Sequence, residues 1–256
     1  MYVVHSDPLR RTPGQYARAA VQRLRMRTLV TLGVLAVATA LLGRLFGLHS
    51  MLFLGAEIAL LASMFVISRY VLPLVERRDH GARGEEHVGE LLEGLPQESW
   101  RVVHDATLGR GNVDHIVLGP GGVFTVETKS HAGPVRVARL HGAMLSQAQA
   151  QSRAIEHVAG VETAPLIVFS RAWVDKPLAR RKGVRVAPAR MLPGYLERHR
   201  ATLTPAEVDR ARACVAEALR AHRAAAPGAD RSTRPVHRRW QAAKARLPFA
   251  GSDRKR

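Results

Sequence analysis

Two apolar stretches near the start of the chain constrain it more than any other feature. Thr28 to Gly43 (TLVTLGVLAVATALLG) carries no charge, and its apolar character resumes at Leu45, Phe46 and Leu48. Met51 to Ser68 (MLFLGAEIALLASMFVIS) carries one charge, Glu57, and runs on through Tyr70, Val71 and Leu72. Each stretch is roughly 18–21 residues long, and a helix needs about 20 to cross a bilayer. Only a helix satisfies all its backbone groups within one such segment of lipid. The segment 28–75 therefore reads as a transmembrane hairpin, with spans at 28–48 and 51–72 and a turn at Gly47, His49 and Ser50. A helical hairpin buried in a soluble core is the alternative, and the length criterion favours the membrane. A cleaved signal peptide fits poorly. The first run starts late, no small-x-small site closes it, and a second run follows at once.

The flanks set the orientation. Arg10, Arg11, Arg18, Arg23, Arg25 and Arg27 precede the first span, and Arg69, Arg77, Arg78 and Arg83 follow the second. The turn has only Arg44 nearby, and Arg44 can snorkel to an interface. An excess of Lys and Arg marks the cytoplasmic side. The expectation is a multi-pass protein of the cell (inner) membrane with both termini in the cytoplasm, including a basic segment at 1–27. Glu57 is a functional candidate because acids inside a span are costly. A small transporter subunit would use it so. The preferred reading pairs it with Arg44 or with a neighbouring protomer, in a homo-oligomer formed through the hairpin.

Charge separates the remaining segments. The net charge of +18 divides into +5 over 1–27, +1 over 28–75, −3 over 76–170 and +15 over 171–256. Such basic ends suit nucleic-acid phosphates or anionic lipid. Residues 224–256 are rich in Pro, Gly, Arg and Ala with weak periodicity, and read as a basic disordered tail that includes Trp240 and Phe249. A single cysteine, Cys214, excludes a disulfide framework and a Cys-rich zinc site. The folded cytoplasmic domain is therefore expected over 76–223.

Within that domain, Pro73 and the run Glu76 to Gly81 end the second span. Val88, Leu91, Leu92 and Leu95 then give helical spacing over 84–95, and Pro96 stops the helix. Strands are expected over 101–106, 112–118, 123–130, 134–140, 165–170 and 183–187, and helices over 146–159 and 204–222. The last helix opens with Thr204-Pro205-Ala206-Glu207, a capping box with Pro at its first position. This alternation gives an α/β domain, a mixed sheet with helices on its faces.

The informative stretch is Asn112 to Ser130 (NVDHIVLGPGGVFTVETKS). β-branched and aromatic residues fill two arms around Gly119-Pro120-Gly121-Gly122, the pattern of a hairpin. If the hairpin is symmetric about the Pro120–Gly121 bond, Asp114 lies opposite Glu127 and Asn112 opposite Lys129. Opposed residues share a face, and so do residues two apart on one strand. One face then carries Leu118, Ile116, Val123 and Thr125, followed by Asp114, Glu127 and Lys129. The other carries Val113, His115, Val117, Phe124 and Val126. A bulge would displace Asp114 but leave Glu127 and Lys129 together. Two acids and a lysine on a mostly apolar strand pair are expensive unless they bind something. Two carboxylates can hold a hard cation such as Mg²⁺ or Mn²⁺. The cation polarises a phosphoryl oxygen, and a lysine beside it offsets developing charge. These are the parts needed for phosphodiester hydrolysis. Bland readings are a hydrogen-bonding acid at Asp114 and a strand-end ion pair between Glu127 and Lys129.

These residues resemble the nuclease-related domain (NERD), a branch of the PD-(D/E)xK restriction-endonuclease-like superfamily. The resemblance covers about residues 81–222. Gly84-Glu85 with Val88 and Leu92 resembles its G-E-x-x-V helix, and Gly111-Asn112-Val113-Asp114-His115 its G-N-I-D-H segment. Gly119 to Ser130 resembles its G-P-x-G-V-F-x-x-E-T-K-S segment, and Gln147 and Gln151 its later helix. Pro165 to Ser170 resembles the strand that follows. Val113 departs from the superfamily name, which has Pro before the acid. The resemblance implies a restriction-endonuclease-like core preceded here by the two-helix hairpin. It also implies a Mg²⁺- or Mn²⁺-dependent nuclease in which Asp114, Glu127 and Glu85 bind metal, Lys129 positions water and Gln147 supports the site. His115 falls on the opposite face and is left out. The competing function is a non-catalytic nucleic-acid-binding or scaffolding module at the membrane.

Overall fold

The structure, a computed structural model, describes residues 12–47, 51–108 and 111–224. The expectations for residues 1–11, for His49 and Ser50, and for the tail beyond 224 lie outside the described residues.

Helix α1 (Gln15–Phe46) and helix α2 (Met51–Val66) are antiparallel and present their apolar side chains outward. Arg18–Phe46 of α1, and the continuous helix Met51–Glu93 that opens with α2, are long and apolar enough to cross a membrane, by length and composition. Polar hydroxyls within them bond back to their own helix: Thr28 to the Leu24 carbonyl, Thr39 to that of Leu35 and Ser63 to that of Ala59. These hydroxyl protons are then not left facing an apolar surrounding. Arg44 and Glu57 line one groove between the helices, with Ala36, Ala40 and Gly43, but no ion pair joins them.

The second helix does not stop at Pro73. Residues Ile67–Val71 wind as a single π turn, with the Leu72 N–H bonded to the Ile67 carbonyl, and α3 (Leu72–Glu93) continues from it. Proline breaks a helix by its missing N–H and by its clash with the carbonyl four residues back. Here that carbonyl belongs to Arg69 and lies in the widened turn, so the helix passes through. The helix expected over 84–95 is thus the far end of one rod that begins at Met51. Arg18 of α1 forms an ion pair with Glu86 of α3, and Gly14 lies against Ala82 and Glu86.

The sheet has six strands in the order β1 (Arg101–Leu108), β2 (Gly111–Gly119), β3 (Gly122–Lys129), β5 (Thr163–Phe169), β8 (Val184–Pro188) and β7 (Arg180–Arg181). β1, β2 and β3 form an antiparallel meander, β3, β5 and β8 run parallel, and β7 returns antiparallel. α3 and the short α5 (Leu192–Glu197) cover one face, where Val88 and Leu92 pack with Val117, Phe124 and Leu166. α4 (Gly142–Ala159) and α6 (Pro205–Ala224) cover the other, where Ile155 and Val215 pack with Ile116 and Val123. The capping box forms: the Glu207 carboxylate accepts from the Thr204 N–H at 2.7 Å and from its hydroxyl at 2.8 Å. These bonds hold the Glu207 pKa below the usual carboxylate range.

The segment 134–140 is not one strand. β4 (Pro134–Val135) pairs with β6 (Trp173–Val174), and Val137–Arg139 turns as a 3₁₀ helix. Side chains satisfy the backbone there in place of a ladder. Asp175 accepts from the Val137 N–H at 2.9 Å, and Arg181 donates to the Val137 carbonyl at 2.8 Å.

Candidate active site on strand β3

The hairpin register is the expected one, from Gly119 opposite Gly122 to His115 opposite Val126. Gly122, at φ 121°, supplies the turn conformation that a side chain would resist. The regular ladder stops one step short of Asp114 and Glu127. On the other side of β2 the β1 ladder also omits Asp114, passing from His104–His115 to Ala106–Val113. Asp105, opposite that gap, has φ 50° and is buried. This kink turns Val113 to the face of Ile116, where both join Val103 and Ala106. Val113 therefore does not share the face of His115, as strict alternation had it.

The kink brings the Asp114 side chain to the backbone of β3. Its Oδ2 accepts the Thr128 N–H at 2.8 Å, between Glu127 and Lys129. Glu127 is 1% exposed, Lys129 4% and Asp114 8%. Lys129 Nζ bonds Glu127 Oε1. Gln147 Nε2 donates to the same oxygen at 2.8 Å, and Gln151 Nε2 donates to Oε2 at 2.7 Å. A strand-end surface ion pair would be worth little. This one is out of water, where charges persist only if paired and hydrogen-bonded.

Gln147 thus reaches Glu127. Gln151 does too, although the resemblance gives it no role in the site. Its signal was the one-turn spacing from Gln147, which puts both on one helix face. The intervening Gln149 points elsewhere and bonds the Lys182 carbonyl. Glu85 is half-buried on α3, beside the strand ends rather than on the sheet. A Cβ on the preceding Gly84 would lie 2.7 Å from Ser170 Oγ and 2.9 Å from Ser130 Cβ, so α3 crosses the C-terminal ends of β5 and β3 at close range.

The donor chemistry fits a hard divalent cation. Gln151 Nε2 faces two acceptors, Glu127 Oε2 and the Asn112 carbonyl at 2.8 Å, so its amide orientation is fixed. Its Oε1 is buried with no hydrogen-bond partner among the described residues. An orphaned amide oxygen on a side chain bonded to the Glu127 carboxylate suits a hydrated cation, either as a ligand or as acceptor from its water. Among the described residues no set of three or more His, Cys, Asp or Glu is gathered around one point. Mg²⁺ in general keeps several waters beside one or two carboxylates.

A family model, the nuclease-related domain, matches residues 80–170. Residues 80–170 are thus similar to a nuclease-related domain. That match contains Glu85, Asp114, Glu127, Lys129, Gln147 and Gln151. The domain thereby joins α3, the meander, α4 and β5 in one unit. Among solved structures, the chain is similar to "The structure of Pyrococcus Furiosus SfsA in complex with Ca2+", with 17% identity and a TM-score of 0.22. The alignment covers 54% of this chain and spans about half, 53%, of that one. No curated protein matches the chain.

On the opposite face, His104 and His115 stack edge-on with Nδ1 atoms 2.8 Å apart, and His104 Nε2 is 3.3 Å from Glu93 Oε1. With His104 donating from Nε2 to Glu93, its Nδ1 accepts from His115 Nδ1–H. Burial, aided by His104, pushes the His115 pKa down to about 3. Burial also lowers that of His104, against the pull of Glu93.

Proposed function

We propose that the protein is a membrane-anchored, cytoplasm-facing nuclease that hydrolyses phosphodiester bonds of DNA or RNA with Mg²⁺ or Mn²⁺. The observation that carries this reading is the buried Glu127, bonded to Lys129 on its own strand and beside the orphaned oxygen of Gln151. Asp114 and Glu127 would hold the ion, with Glu85 completing the set from α3. The bound ion would polarise a phosphoryl oxygen and acidify water. Gln147 and Gln151 fix the Glu127 carboxylate, so that its lone pairs are oriented before substrate arrives. Lys129 Nζ, held by Glu127, positions the attacking water and offsets charge that builds on the phosphate. The outward apolar faces of α1 and α2, with arginines at both hairpin ends, support the anchor.

The test is cleavage of DNA and RNA by the full chain in detergent, with Mg²⁺ or Mn²⁺, against the Glu127→Ala, Lys129→Ala double variant. Metal-dependent cleavage by the parent alone is expected. Equal cleavage by both proteins sinks the assignment. The +15 charge of residues 171–256 favours a second reading, a binding module without catalysis. It requires salt-sensitive binding and no cleavage with either metal.

A further inference from the structure

Among the described residues outside the two N-terminal rods, Trp173 is the one large apolar side chain that stands exposed, at 58%. Its position is built. The Trp173 N–H bonds the Gly133 carbonyl at 3.2 Å, and the Asp175 N–H bonds that of Val135 at 3.0 Å. Val174, between them, is buried. Strand alternation then forces the indole outward on a rigid two-stranded ribbon.

That ribbon adjoins the candidate site. The Ser170 N–H bonds the Lys129 carbonyl at 3.0 Å, and Trp173 lies three residues further on. At about 3.3 Å per residue that is a reach of roughly 10 Å. Arg171 and Lys176 flank it closely in sequence, Arg136 follows the paired strand β4 and Arg139 ends the turn after it, and all four are exposed. Aromatic rings among basic side chains are how proteins hold single strands, because every base offers a face to stack on. A blunt duplex keeps its bases stacked within itself and exposes only the outer faces of its two terminal pairs.

We infer that Trp173 is a base-stacking platform that makes the site select substrates with an unpaired base next to the cleaved bond, either single strands or frayed ends. The inference rests on the nuclease reading of the site and deepens it. The test measures binding with no divalent ion present, so that nothing is cut. Full-length protein in detergent is titrated into a labelled single-stranded oligonucleotide and into its blunt duplex. Trp173→Ala weakens single-strand binding about tenfold or more, Trp173→Phe by no more than about threefold, and neither alters duplex binding beyond about twofold. Equal affinity of parent and Trp173→Ala for the single strand overturns the platform alone. So does an equal loss on both ligands. So does a Trp173→Ala defect confined to binding phosphatidylglycerol vesicles, which marks a membrane contact instead. A parent that binds no oligonucleotide overturns the nuclease reading as well.

Discussion

Glu127 and Lys129 are bonded to each other, yet their surroundings differ. Removing Glu127 leaves a buried ammonium without its carboxylate, and an uncompensated buried charge costs about 3–5 kcal/mol. Removing Lys129 leaves Glu127 still held by Gln147 and Gln151. Glu127→Ala should therefore lower the thermal unfolding midpoint in detergent more than Lys129→Met, and equal losses would contradict this bonding pattern. The histidine pair gives a pH prediction at the same scale. His115 titrates near 3 when folded and near 6.5 when unfolded. The unfolded chain thus binds the extra proton first as pH falls. The stability that neutral burial supports is complete above about pH 6.5 and declines from there down toward 3, by up to about 1.4 kcal/mol per pH unit for each such histidine. Melting points should fall between pH 7 and 5, with a shallower slope in His115→Asn. An unchanged slope contradicts the assignment. Residue-level chemistry was partly legible in the sequence. Glu127 and Lys129 stand out by type and spacing, and Gln147 only by the family resemblance. The kink at Asp105 does not, because a positive φ at a non-glycine depends on tertiary context. That kink decides where Asp114 reaches.

Elements were legible where periodicity or turn chemistry was strong. The Gly119 to Gly122 turn fixed the hairpin register, and Thr204 with Glu207 marked the start of α6. Weak local signals failed. Pro73 reads as a stop, and only the neighbouring π turn lets the helix through. β6 and β7 are too short to show alternation. Gly84 owes its place to the packing of elements. It lets α3 approach Ser130 and Ser170, and so brings Glu85 to the end of β3. Gly84→Ala should destabilise the protein by about 1–3 kcal/mol through overpacking. Adding Ser170→Ala removes the nearest atom and should recover part of that loss in denaturant titrations. A silent Gly84→Ala would mean that α3 sits further from the sheet.

At the scale of the whole molecule, one rod links the apolar hairpin to the sheet domain. Gly84 meets the C-terminal ends of β3 and β5, whereas Leu92, further along α3, packs with Phe124 near the start of β3. The carboxylate end of the sheet therefore faces the hairpin. From Leu72 to Gly84 the helix rises about 18 Å at 1.5 Å per residue. In the proposed anchoring, substrate reaches the site from the layer next to the bilayer, where Arg69, Arg77, Arg78 and Arg83 follow the second span. All of this chemistry depends on Asp114 and Glu127 acting together on one ion. Calorimetric titration of Mn²⁺ into the full-length protein in detergent tests that most directly. A saturable site in the parent that disappears in both Asp114→Asn and Glu127→Gln is the predicted result. Binding that is absent from the parent, or that survives in either variant at parental affinity, would contradict it.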